Sequence, residues 1–107
     1  MNPKSEWLAS RAIGAVSPDG RQIDVMLRLG MPYEVESEEW ACPVAIEGLQ
    51  EKLHDIHGVD AWQAIQLAQN LLVQLLGHYV EEGGRLVWPG SLEPLALGDV
   101  FPGLKNP

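Results

Sequence analysis

The chain has 107 residues, 46% of them hydrophobic and 21% charged, which suits one globular domain with its own core. A formal net charge of -8, with Lys4, Arg11, Arg21, Arg28, Lys52, Arg85 and Lys105 scattered along the chain, opposes binding to a nucleic-acid backbone, which needs clustered cations. The single cysteine, Cys42, excludes an internal disulfide and any multi-cysteine zinc site within one chain.

The N-terminus begins Met1-Asn2-Pro3-Lys4-Ser5-Glu6 and no uninterrupted apolar run follows, so no secretory signal is expected and the location read from the sequence is cytoplasmic. Residues 7–16 form a first, weakly patterned strand candidate. Ser17-Pro18-Asp19-Gly20 then makes a turn, because Pro presets φ and Gly accepts positive φ. Beyond it Ile23, Val25, Leu27 and Leu29 alternate with Gln22, Asp24, Met26 and Arg28, the period of a half-buried strand. These two segments are expected to form an antiparallel hairpin.

Glu34, Glu36, Glu38 and Glu39 form an acidic cluster, which is ordinarily a solvated loop and could otherwise serve as a contact surface for a basic partner. Trp40, Cys42, Val44 and Ile46 alternate with Ala41, Pro43, Ala45 and Glu47, predicting a third strand. Pro43 cannot donate to a ladder, so that strand lies at an edge or carries a bulge there. Gly48-Leu49 turns the chain into a fourth strand over residues 51–57, with His54 and Ile56 on one face and Asp55 and His57 on the other.

The longest element is a helix over residues 61–82, roughly 33 Å at about 1.5 Å per residue. Asp60 and Gln63 have the spacing of a capping box, and Gly83-Gly84 supplies the stop. Ala61, Ala64, Ile65, Ala68, Leu71, Leu72, Leu75, Leu76 and Tyr79 fall on one apolar stripe, which Trp62, Val73 and Val80 are expected to widen. The opposite face carries Gln63, Gln66, Asn70, Gln74, Gly77 and His78, with Leu67 at its border. Residues 61–80 contain no Asp, Glu, Lys or Arg, and an amide face enters an interface at lower desolvation cost than a charged one. Two readings follow: a single amphipathic helix whose amide face meets water, or a helix that meets its own sheet on one side and the surface of a partner on the other. Its amides are too numerous for a membrane span.

After the helix, residues 85–88 make a short strand, and residues 89–107 form a Pro/Gly-rich tail with Leu92, Leu95, Leu97, Val100, Phe101 and Leu104. Such a tail is expected to pack on the domain, residues 1–88, or on a partner. The order β-β-β-β-α-β predicts an α+β fold, an antiparallel sheet of four to five strands with one long helix across one face.

The segments Trp40-Ala41-Cys42-Pro43 and Gly58-Val59-Asp60-Ala61-Trp62-Gln63-Ala64-Ile65-Gln66-Leu67-Ala68 resemble a family of short bacterial proteins of unknown function that share a W-x-C-P strand and a G-V-D-A-x-Q-A-x-x-L-A helix start. Leu97-Gly98-Asp99-Val100-Phe101-Pro102 is similar to the close of such proteins. The resemblance implies a shared fold and bacterial origin, and carries no catalytic residue with it.

No convergent catalytic set is visible. His54, Asp55 and His57 tempt a metal reading, but on a strand His54 and His57 point to opposite faces. Cys42 at an inward strand position reads as a small buried hydrophobe. There is no phosphate loop, nucleophile elbow or dinucleotide fingerprint, so no cofactor, metal or catalytic residue is expected. The favoured function is a non-enzymatic protein-interaction module that binds a partner or itself as a homodimer, through Gln63, Gln66, Asn70, Gln74 and His78 or through Glu34, Glu36, Glu38 and Glu39. The alternative is a small enzyme or ligand-binding domain with a pocket between helix and sheet near Cys42 and His54.

Overall fold

The alternating apolar residues of the second segment find their partners in the first. A computed structural model describes residues 7–103; the N-terminal residues read for a leader, and Leu104, lie outside that range. β1 (Trp7–Val16) and β2 (Gln22–Gly30) pair antiparallel with Ile13 opposite Val25 and Ala15 opposite Ile23. The turn between them closes through Gly20 N–H donating to Ser17 O at 2.8 Å, with Gly20 at φ 91°. Asp19 accepts from the Ser17 hydroxyl, and this bond holds its carboxyl below the usual range.

β3 (Tyr33–Glu36), β4 (Glu39–Cys42), β5 (Val44–Glu47) and β6 (Ile56–Gly58) precede helix α1 (Ala61–Glu81), followed by β7 (Arg85–Val87) and the single helical turn α2 (Leu97–Val100). The strands form two antiparallel sheets, β5-β2-β1-β7 and β3-β4-β6. The class is α+β, with the expected single sheet divided in two.

Pro43 is where the division happens. The predicted third strand is continuous in its alternation, yet Cys42 pairs with Ile56 in the small sheet while Val44 pairs with Leu29 in the large one. Pro43 has no N–H to give either ladder, so the chain changes sheets there at no cost in hydrogen bonds. Its carbonyl accepts from Gly30 N–H at 2.8 Å, and a Cβ on Gly30 would come within 2.6 Å of the Pro43 ring. The predicted fourth strand shrinks to β6, because after the isolated bridge from Gln50 to Ile46 the chain runs irregularly until Ile56.

α1 begins where its cap predicts. Asp60 Oδ1 accepts from Gln63 N–H at 2.8 Å, while Gln63 Oε1 accepts from Val59 N–H at 2.9 Å, one residue earlier than in a standard capping box. At the other end Gly83 takes φ 101° and Gly84 N–H donates to Tyr79 O at 3.0 Å, which satisfies a last-turn carbonyl. Ala64, Ala68, Leu72 and Leu76 are buried against Ile13, Val25, Leu27, Val44 and Ile46 of the large sheet. The alanines let the helix approach closely, and each buried leucine contributes about 1.5–3 kcal/mol. β6 is equally close to the first turn: a Cβ on Gly58 would lie 2.7 Å from Ala64 N. Trp62 and Val80, expected to widen the apolar stripe, are exposed, Trp62 to 75%, and Val73 is half-buried.

The chain after β7 folds back on the same core. Trp88 N–H donates to Glu93 O and Leu95 N–H to Leu86 O, both at 2.9 Å. Leu95 is buried, and Leu97, Val100 and Phe101 pack around it against the cluster. The outer face of the large sheet carries a cross-strand group in which Arg28 Nε donates to Glu47 Oε2 at 2.9 Å and Nη1 to Ser10 Oγ at 3.1 Å. The Arg28 guanidinium also stands 5.7 Å from the Trp7 ring centre.

Candidate functional site

At about 100° per residue, positions four apart on a helix form a ridge that drifts slowly around the axis. One such ridge on α1 is Ala64, Ala68, Leu72 and Leu76, all buried. Another is Trp62, Gln66, Asn70, Gln74 and His78, all exposed. The two ridges lie roughly 160° apart around the axis, so they face opposite ways. Gln63 is exposed beside the second ridge, its side chain held on the Val59 N–H, and Leu67 is 40% exposed at the border.

The second ridge joins every helix residue singled out as an interaction candidate except Gln63, and adds Trp62. Its side chains are amides, an indole and an imidazole, until His78 meets Glu82 at 3.6 Å and Glu81 at 3.8 Å in the last turn. These His78 contacts are open to solvent and contribute little. At about 100° per residue Trp62 falls between the edge of the apolar stripe and Gln66, and at this flank it is exposed rather than widening the stripe.

The acidic candidates lie on a different element. Glu34, Glu36 and Glu38 are exposed on the β3–β4 hairpin, and Glu38 takes the turn with φ 60°. Glu39 leaves the cluster: its Oε2 lies 2.7 Å from His57 Nδ1 on β6. β3 is an edge strand, and its carboxylates discourage another strand from adding there.

The small sheet separates the residues of the alternative reading. Its face toward the core carries Trp40, Cys42 and Ile56, while Tyr33, Ala41 and His57 stand in register on the other face. There the Tyr33 hydroxyl donates to Asp55 Oδ2 at 2.5 Å, which raises the Tyr33 pKa. Cys42 is completely buried, and its Sγ is 3.5 Å from Gly30 O. Burial, with the nearby Asp55 carboxylate, pushes the thiol up to about 11. A thiol in that state is protonated at neutral pH and has no path to a substrate. His54 is exposed. Among the described residues no group of three or more His, Cys, Asp or Glu is placed to hold a metal ion. A cleft that opens between helix and sheet is lined by Arg11, Leu27, Gln69, Leu72 and Phe101, and includes neither Cys42 nor His54. No helix among the described residues is long and apolar enough to cross a membrane.

Comparison with curated proteins and with solved structures finds no match. A family model described as a domain of unknown function, DUF6968, matches residues 9–98, from the third residue of β1 to the second of α2. The matched span contains both sheets and all of α1, and on that ground the chain belongs to the DUF6968 family.

Proposed function

We propose that this protein is a non-enzymatic interaction module that pairs with a second copy of itself through the outer ridge of α1. The observation that carries the reading is the exposure of Trp62, Gln66, Asn70 and Gln74 on a ridge without formal charge up to His78, in a chain of net charge -8. Two copies of net charge -8 repel, and contact is least opposed where carboxylates are absent. Carboxamides suit this role because each offers both a donor and an acceptor and can bond to its own image, which a carboxylate cannot. Trp62, 75% exposed, supplies an aromatic anchor of the kind that dominates interface energetics.

A two-fold contact is isologous, so the ridge meets itself. Asn70 is its middle member; there Asn70 faces Asn70 of the partner subunit and Gln66 faces Gln74 of the partner subunit. Packing of like i+4 ridges favours a crossing near about -50°, which concentrates the contact on these central turns. Glu34, Glu36 and Glu38 stay outside it and keep the edge of β3 from pairing with other chains.

Sedimentation velocity over a roughly hundredfold concentration range tests the reading, with a monomer–dimer equilibrium expected. Asn70→Lys sets two cations against each other on the axis and should give a folded monomer, whereas Asn70→Cys should form a disulfide-linked dimer on mild oxidation. A protein that stays monomeric throughout, or a dimer indifferent to Asn70→Lys, overturns it.

A further inference from the structure

Arg11 occupies an unusual position for a cation. It faces the helix side of β1, directly opposite Leu27 and two residues from the buried Ile13. Arg21 sits exposed at a turn, Arg85 is exposed on β7, and Arg28 is paired with Glu47 on the outer face. Among the described residues no carboxylate lies within ion-pair distance of Arg11, and it makes no side-chain hydrogen bond there. Its guanidinium stands 5.8 Å from the Trp88 ring centre. A guanidinium stacked on an aromatic face keeps its in-plane N–H groups free, and those form the fork that matches a carboxylate.

Arg11 lines an open cleft of about 170 Å³ whose walls include Leu27, Leu72, Val100 and Phe101. Gln69 of α1 lines the same cleft and adds an amide donor. For scale, an apolar cavity of about 150 Å³ takes up benzene. The space is therefore that of one ring or a short alkyl chain; of its polar lining residues Arg28 and Ser10 are bonded to each other and Arg28 to Glu47, which leaves Arg11 and Gln69 as donors for one anion.

We propose that this cleft binds a small apolar monocarboxylate, with its carboxylate on Arg11 and Gln69 and its chain or ring against Leu27, Leu72 and Phe101. Placing an arginine unpaired beside a core cluster costs desolvation, and a carboxylate ligand would offset it through two charge-assisted hydrogen bonds. The apolar walls set the second half of the specificity. Acetate, which cannot fill them, binds much more weakly than a six-carbon acid.

Isothermal calorimetry and amide chemical-shift mapping with sodium hexanoate and sodium benzoate test this, with hexan-1-ol as the uncharged counterpart. Hexanoate should bind roughly tenfold or more tightly than hexan-1-ol and shift the amides of Arg11, Gln69 and Phe101. Arg11→Gln should cost about the same factor, and Arg11→Lys should recover only part of it, since a point charge lacks the fork. Gln69→Leu, on an exposed helix position where the fold is unaffected, should weaken hexanoate severalfold while leaving hexan-1-ol unchanged. Equal binding of acid and alcohol, hexanoate binding unaltered in Arg11→Gln and Gln69→Leu, or shifts confined to other surfaces, overturns the assignment. Asn70→Lys should bind hexanoate as the parent does, so this inference and the dimer fail separately.

Discussion

The inner and outer ridges of α1 are built on one helix with one period, and both lack charge over their central turns. Ala64, Ala68, Leu72 and Leu76 face the sheet, whereas Trp62, Gln66, Asn70 and Gln74 face water in the isolated chain. The absence of charge alone therefore does not separate a core face from a docking face. What separates them is side-chain chemistry: aliphatic groups lose nothing when sealed away, while amides must find partners wherever they go. The inner ridge is buried within one chain, and the proposed pairing of the outer ridge would use side chains that suit water and a partner alike.

The sharpest way to break this contrast is on the inner side. Leu76→Ala should destabilise the fold by about 2–5 kcal/mol, read as a lower midpoint in urea, because Leu76 is fully buried and a cavity would remain. A midpoint near the parent value would mean that the helix is not clamped to the sheet there.

Cys42 probes the same seal from the small sheet. Burial raises its pKa in the folded protein from about 9 to about 11, so the stabilisation from the buried neutral thiol is fully present below about pH 9 and is lost as pH rises through about 11. Labelling by a thiol reagent at pH 8 should proceed only as fast as the fold opens and should accelerate in step with urea-induced unfolding. Rapid labelling of the native protein would show that the inner side is open.

Asp60→Ala removes the cap from which both ridges start. It should cost about 1 kcal/mol, because the Gln63 N–H would lose its acceptor. The helical circular dichroism should fall little, since burial of the inner ridge holds the remaining turns.

On the outer side the expected change in monomer stability is smallest. Asn70→Ala should alter it by less than about 0.5 kcal/mol, measured at concentrations where the protein is monomeric. A loss comparable to that of Leu76→Ala would place Asn70 in the core and remove the distinction between the ridges.

Much of the fold was legible from local signals. Asp60 and Gln63 mark the start of α1 and Gly83 its end, because caps and stops are chemistry within a few residues. The β1–β2 hairpin follows from alternation and a Pro-Asp-Gly turn for the same reason. The candidate site was legible in part: periodicity places Gln66, Asn70, Gln74 and His78 on the exposed side of α1, but it leaves Trp62 at a flank of the apolar stripe, where the angle by itself does not separate burial from exposure. Arg11 could not be found, since nothing near it in the chain shows that residues some sixty and ninety positions later, Gln69 and Phe101, enclose the same cleft.

Where the long helix begins and ends, which of its sides is aliphatic, and that Pro43 interrupts a ladder can all be read from the chain alone, because each depends on backbone chemistry and periodicity within a few residues. Long-range packing settles that the chain changes sheets at Pro43, that Trp62 stands in solvent, and that Arg11 lies opposite Leu27 with no carboxylate among the described residues at ion-pair distance. Those outcomes depend on which distant segments pack together, and packing is set by the whole set of contacts rather than by any local pattern.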